Sequence, residues 1–189
     1  MRAKKLSARF EAMAGFVCAG ERVADIGTDH ALLPIFLVKE GLSPFAVLTD
    51  ISPGPLEKAR LGVEKAMRTW VGAASSEAYN DRVSERDDKA FDLRLGDGLD
   101  VLKESEVDTV IIAGIGGETI ISILEADPDK TESFPKFILQ PRTKTGLLEK
   151  WLAGSDWKIL EKTAAEERGR LCDIIVCTPN VNARKEVKQ

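Results

Sequence analysis

At 189 residues the chain is long enough for one compact domain and too short for two domains of ordinary size. Hydrophobic residues at 43% and charged residues at 31% fall in the range of folded globular proteins, which excludes disordered, collagen-like and disulfide-scaffold classes. Twenty-seven basic against 31 acidic side chains give a formal charge of −4, the wrong sign for a protein that coats nucleic acid through overall charge.

In chain order, Met1-Arg2-Ala3-Lys4-Lys5 leads into a charged amphipathic stretch and not a secretion signal. No apolar run approaches the roughly 18 residues of a membrane span, so a cytoplasmic protein is expected. Leu6, Phe10, Met13, Ala14 and Val17 form a helical stripe, with Gly20 past its end. Lys4, Lys5 and Arg9 near one end and Arg184, Lys185 and Lys188 near the other leave a local basic face open.

Short apolar runs follow at Arg22 to Ile26, Phe45 to Leu48, Phe91 to Leu95, Val107 to Ala113 and Phe137 to Leu139, each reading as a buried strand. Helical patterns separate them. The clearest starts at Ser52, with Leu56, Ala59, Val63, Met67 and Trp70 on one face. That alternation predicts a parallel sheet covered by helices on both faces. Trp157 to Ala164 and Leu171 to Thr178, parted by Glu166-Glu167-Arg168-Gly169-Arg170, predict a closing hairpin. Residues 72–90, polar and without periodicity, read as a surface insertion in a domain spanning 1–178, with 179–189 as a tail. Cys18, Cys172 and Cys177 form no CxxC pair and read as buried small hydrophobes in a reducing compartment. No metal is expected.

In doubly wound sheets ligands bind outside the carboxyl ends of the strands, so the residues that follow each run carry the functional signal. The first such loop is Asp25-Ile26-Gly27-Thr28-Asp29-His30. An acid stands where a dinucleotide-binding loop needs its second glycine, and it would repel a pyrophosphate. A cationic cofactor suits these acids, and S-adenosylmethionine carries a sulfonium and an ammonium group. Asp50, followed by Ile51, stands where an acid accepts hydrogen bonds from ribose hydroxyls. In Gly96-Asp97-Gly98 the carboxylate suits an adenine amino group. In Ala113-Gly114-Ile115-Gly116-Gly117 small residues bring backbone close to the cleft. Each acid could instead cap a helix and each glycine could simply make a turn. A nicotinamide oxidoreductase built on Gly114-Ile115-Gly116-Gly117 fails, because Thr119 occupies the final glycine position.

The stretches LSARFEAMAGFV, VADIGTDHALLPIFLV, LRLGDGLDVL, VDTVIIAGIGGETIISILEA, FILQP and LCDIIVCTP resemble the bacterial tRNA (adenine(22)-N1)-methyltransferases, class I S-adenosylmethionine-dependent enzymes. The resemblance implies a Rossmann-like α/β fold with a seven-stranded, mostly parallel sheet ending in an antiparallel hairpin. It implies a cofactor held through Asp25, Gly27, Asp50, Asp97 and Gly98, with Ile51, Ala113 and Gly114 beside it, and tRNA as the partner. The family pattern has Glu in place of Asp50, Tyr for Leu32, Met for Ile115 and Asn for Arg142. The helical extension that family members carry after the sheet has no counterpart in Asn180 to Gln189.

For methyl transfer to adenine N1 the expected electrostatic catalyst is Asp29, which could alternatively be a helix cap. His30 is expected to stack on or hydrogen-bond the base, and Gly116, Gly117, Gln140 and Pro141 to line the opposite wall. No Asn-Pro-Pro-Tyr or Asp-Pro-Pro-Tyr run follows the fourth strand, which favours a ring nitrogen over an exocyclic amine as acceptor. Two other readings stay open: a noncatalytic cofactor- or RNA-binding module, and a methyltransferase acting on a small molecule.

Overall fold

The computed structural model describes residues 6–73 and 90–180. Its strands are β1 (Val23–Ile26), β2 (Ala46–Asp50), β3 (Phe91–Leu95), β4 (Thr109–Gly116), β5 (Lys136–Thr143), β6 (Trp157–Glu167) and β7 (Arg170–Pro179). They form one sheet in the order β3-β2-β1-β4-β5-β7-β6. The first five run parallel, and β7 inserts antiparallel between β5 and β6. The helices are α1 (Ala8–Ala14), α2 (Leu32–Lys39), α3 (Pro53–Ala73), α4 (Gly117–Ala126), α5 (Pro128–Glu132) and α6 (Thr145–Gly154). The expected Rossmann-like arrangement is therefore the observed one.

Alternation along each strand sends neighbouring side chains to opposite faces, and both faces are apolar. Val110 and Ile112 of β4, with Phe137 and Leu139 of β5, pack on Ile120 and Leu124 of α4 and Leu148 and Leu152 of α6. Ile111 and Ile138 point the other way, into Met13 of α1, Leu33 and Leu37 of α2, and Ala59 and Val63 of α3. The continuous apolar runs in the sequence reflect this burial on two sides. The chain steps outward from β1 to β2 to β3 and then returns to β4 on the far side of β1. That reversal opens a crevice at the carboxyl ends of β1 and β4.

Several boundaries differ from the expectation. α1 is shorter than its stripe. Ser7 Oγ caps it by accepting from the Phe10 N–H, and the helix stops at Gly15; Val17 is buried in the following turn. The hairpin turn is tighter than the five polar residues suggested. Only Arg168 and Gly169 lie between the strands, with φ of 53° and 75°, the left-handed pair that a two-residue hairpin requires. Of the expected insertion at 72–90, residues 74–89 lie outside the described residues. Of the cysteines only Cys177 is buried, where loss of water pushes its thiol pKa up; Cys18 is exposed and Cys172 half-buried.

Candidate active site

The carboxyl ends of β1, β2 and β3 are laced together by backbone hydrogen bonds. Gly27, at φ +76°, turns the chain out of β1. The Gly27 and Thr28 N–H groups then both donate to the Thr49 carbonyl, at 2.9 and 2.8 Å. One residue on, the Asp50 carbonyl accepts from the Gly96 N–H at 3.0 Å. These bonds bring the loops bearing Asp25, Asp50 and Asp97 into one row, a juxtaposition that spacing in the sequence could only suggest.

Asp25 is half-buried, and desolvation pushes its carboxyl up to about 6, against smaller opposing effects from the Thr28 hydroxyl and the Arg9 charge. Asp50 Oδ1 accepts from the Ser52 N–H at 2.7 Å, an arrangement that fixes the carboxylate and leaves Oδ2 for a ligand. Asp97 is exposed, in a turn where Gly98 has φ +48° and sits under Ile123 of α4. Ile51 is 65% exposed and Leu95 56% exposed, two large apolar side chains at the ends of β2 and β3. Carboxylates beside uncovered apolar groups suit a ligand that combines a flat ring, hydroxyls and a positive charge. Leu95 was not singled out in the sequence, because the last residue of an apolar run reads as core.

Asp29 caps no helix. Residue Ala31, at φ +52°, stands at the start of α2 and offers no side-chain cap. Asp29 instead lies on the lip of the crevice, Oδ1 accepting from Lys58 Nζ of α3 at 3.0 Å and Oδ2 lying 3.3 Å from His30 Nε2. All three side chains are exposed. His30 is thus placed beside Asp29 as the loop sequence suggested, while Lys58 was missed because nothing local marks it.

The fourth loop is a strand. β4 runs through Ala113, Gly114 and Ile115 to Gly116, pairing with β5 as far as Thr143 through two register shifts. Gly114, at φ +80°, absorbs the irregularity. Gly117 opens α4 against the β5–α6 connection: a Cβ there would stand 2.6 Å from the Lys144 carbonyl oxygen. Gln140 is buried and Pro141 lies beside it, so both sit beneath the crevice wall and not at its surface. Both ends of the Gln140 amide are engaged: Oε1 accepts from Arg9 Nη1 at 2.6 Å and Nε2 donates to the Pro141 carbonyl at 2.8 Å. Among the described residues, the buried side-chain polar atoms without a hydrogen bond are Arg9 Nε, Thr28 Oγ1 and Thr49 Oγ1, all beside these strand ends. No cluster of potential metal ligands occurs among the described residues, and no described helix is long and apolar enough to cross a membrane.

Comparison with known proteins places this crevice in context. The family model described as a methyltransferase domain matches residues 6–76 and 63–175. The tRNA (adenine(22)-N(1))-methyltransferase of Bacillus subtilis is 33% identical over 172 residues, covering 91% of this chain; the chain spans 64% of that relative's length. The crystal structure of the B. subtilis m1A22 tRNA methyltransferase superposes with a TM-score of 0.75 at 32% identity, covering 93% of this chain and 67% of the other. A Streptococcus pneumoniae putative tRNA (m1A22) methyltransferase, in complex with S-adenosyl-L-methionine, gives a TM-score of 0.75 at 31% identity over 93% and 73% of the two chains. With a family match across most of its length and these relatives beside it, the chain belongs to the methyltransferase-domain family that includes the tRNA (adenine(22)-N1)-methyltransferases.

Proposed function

We propose that the chain is an S-adenosylmethionine-dependent methyltransferase acting on N1 of an adenine in tRNA. The observation that carries this reading is the hydrogen-bonded row of strand ends that gathers Asp25, Asp50 and Asp97 beside the uncovered Ile51 and Leu95. The donor set fits the cofactor. Asp25 with the Gly27 backbone suits its ammonium, the free Oδ2 of Asp50 its ribose hydroxyls, and Asp97 with Gly98 its adenine amino group. Ile51 offers an apolar surface to the ring, and Ala113 and Gly114 leave backbone room next to it. When bound, S-adenosylmethionine supplies an electrophilic methyl group on a cationic sulfur.

Asp29 then acts on the other reactant. Attack through N1 spreads positive charge onto the adenine amino group, and a carboxylate on the lip accepts from that group as the charge builds. Lys58 and His30 hold Asp29 in place, and His30 offers a face on which a base drawn out of the RNA can stack. Gly116 and Gly117 keep the far side free of side chains, with Gln140 and Pro141 supporting it from below. An enzyme with this substrate and cofactor would work in the cytoplasm.

The test is incubation of the purified protein with unmodified tRNA and methyl-labelled S-adenosylmethionine, followed by mass mapping of the modified nucleotide. Label at a single N1-methyladenosine is the expected result. Cofactor binding without transfer would leave a noncatalytic module, and label recovered only in small molecules would replace the tRNA.

A further inference from the structure

Arg9 stands out as a cation at the strand ends that the sequence placed only in a terminal basic run. It projects from α1, which packs against β6. Nη1 donates to Gln140 Oε1, 131 positions along the chain. Nε lies 3.0 Å from Glu167 Oε2 at the tip of the hairpin, an ion pair in which Nε makes no hydrogen bond. The guanidinium carbon sits 4.5 Å above the Phe10 ring, and Nη1 is the nearest atom, at 3.6 Å, to a Cβ built on Gly114. One planar group thus spans the ends of β4, β5 and β6. Gln140 passes the constraint on, since its Nε2 donates to the Pro141 carbonyl where the β4–β5 register shifts.

We propose that Arg9 is a positioning residue of the crevice: by bridging Gln140 and Glu167 it fixes the Gln140 amide, the course of Pro141 and the charge balance of the floor beside Gly114. The same guanidinium charge favours the ionised form of Asp25. Of the other charged groups around these strand ends, Asp29 is paired with both Lys58 and His30, Asp50 accepts from the Ser52 N–H, Glu167 is paired with Arg9 itself, and Asp97 stands exposed in its turn. Without Arg9 the Gln140 amide is free to turn, and Asp25 loses a cation that helps to keep it a carboxylate near neutral pH. Lysine would restore the charge but not the bridge, because one ammonium cannot reproduce the planar fork. Where it concerns the cofactor, the inference rests on the methyltransferase reading.

The test follows the Asp25 carboxyl by carbon NMR across pH in the unliganded protein, for wild type, Arg9→Gln and Arg9→Lys. S-adenosylmethionine affinity and single-turnover methyl transfer are measured alongside. Arg9→Gln should raise the Asp25 midpoint. Arg9→Lys should return the midpoint to the wild-type value and bind cofactor normally at pH 8.5, yet transfer methyl at least ~10-fold more slowly, the loss of one charge-assisted hydrogen bond. An unchanged midpoint in Arg9→Gln, or full turnover in Arg9→Lys, would overturn the assignment. Should Arg9→Gln fail to fold, Arg9→Lys decides through its rate of methyl transfer. A wild-type chain that binds no S-adenosylmethionine would sink the functional reading and leave the NMR midpoints to judge Arg9.

Discussion

Replacing Asp25 with asparagine should make the protein more stable and less able to bind its cofactor, and the size of the first effect should depend on pH. Burial pushes the Asp25 carboxyl from its ordinary value of 3.8 to about 6. Between those values the folded chain holds a proton that the unfolded chain has released, so stability falls as pH rises through the window. Above it the full cost is present, up to about 3 kcal/mol at 1.36 kcal/mol per pKa unit. Asparagine keeps the shape and carries no charge to desolvate. At roughly 2–4 °C per kcal/mol for a chain of this size, Asp25→Asn should melt up to ~10 °C above wild type at pH 7.5. The two melting temperatures should converge below pH 4. Glu106, whose carboxyl the Arg94 guanidinium holds at about 2, contributes the opposite dependence, a stabilisation lost as pH falls below 4.5. It does so equally in both proteins, so the difference between them isolates Asp25. Scanning calorimetry from pH 3 to 8 makes the measurement, with titration calorimetry of S-adenosylmethionine expected to show affinity weakened at least ~10-fold. A gap in melting temperature that does not change with pH, or a less stable variant at pH 7.5, would refute the desolvation argument.

Asp29→Ala should leave S-adenosylmethionine affinity near wild type and slow single-turnover methyl transfer at least ~100-fold; an unchanged rate would remove Asp29 from the chemistry. Asp50→Ala should do the reverse and weaken cofactor binding, with equal affinity by calorimetry dismissing the ribose role. Gly117→Ala drives a Cβ to 2.6 Å from the Lys144 carbonyl oxygen and 3.1 Å from that of Thr143, both backbone, and should cost ~1–3 kcal/mol in urea unfolding. Gly146→Ala, in the first turn of α6 with open space around the new methyl, should be neutral or stabilising by up to ~1 kcal/mol.

The architecture was legible because a parallel strand covered on both faces reads as a continuous apolar run, as Val110 to Ala113 does. Its end was not: glycines read as a loop, whereas Gly114 and Gly116 carry β4 onward through an irregular pairing with β5. The acids of the site were legible for a related reason. Asp25, Asp50 and Asp97 lie at or just beyond the ends of such runs, and the fold puts all strand ends at one edge. Arg9 and Lys58 belong to helices and reach the crevice by packing alone. No spacing rule connects Arg9 to a glutamine 131 positions away, because that contact exists only once α1 has docked beside the hairpin. The perturbed acidity of Asp25 is hidden for the same reason, since it follows from what covers the residue and not from its neighbours in sequence.

The outermost strand, β6, has 11 residues and pairs along one side only among the described residues. Its free margin carries the greasy pair Ile159 and Leu160, 39% and 47% exposed, which on a flat ribbon would recruit a second molecule margin to margin. Lys158, Glu161 and Lys162 bracket that pair, and the pairing slips between Ile159 and Glu161. Three charges and one irregularity thus guard this margin, and neutralising the charges together should make the protein clump with rising concentration.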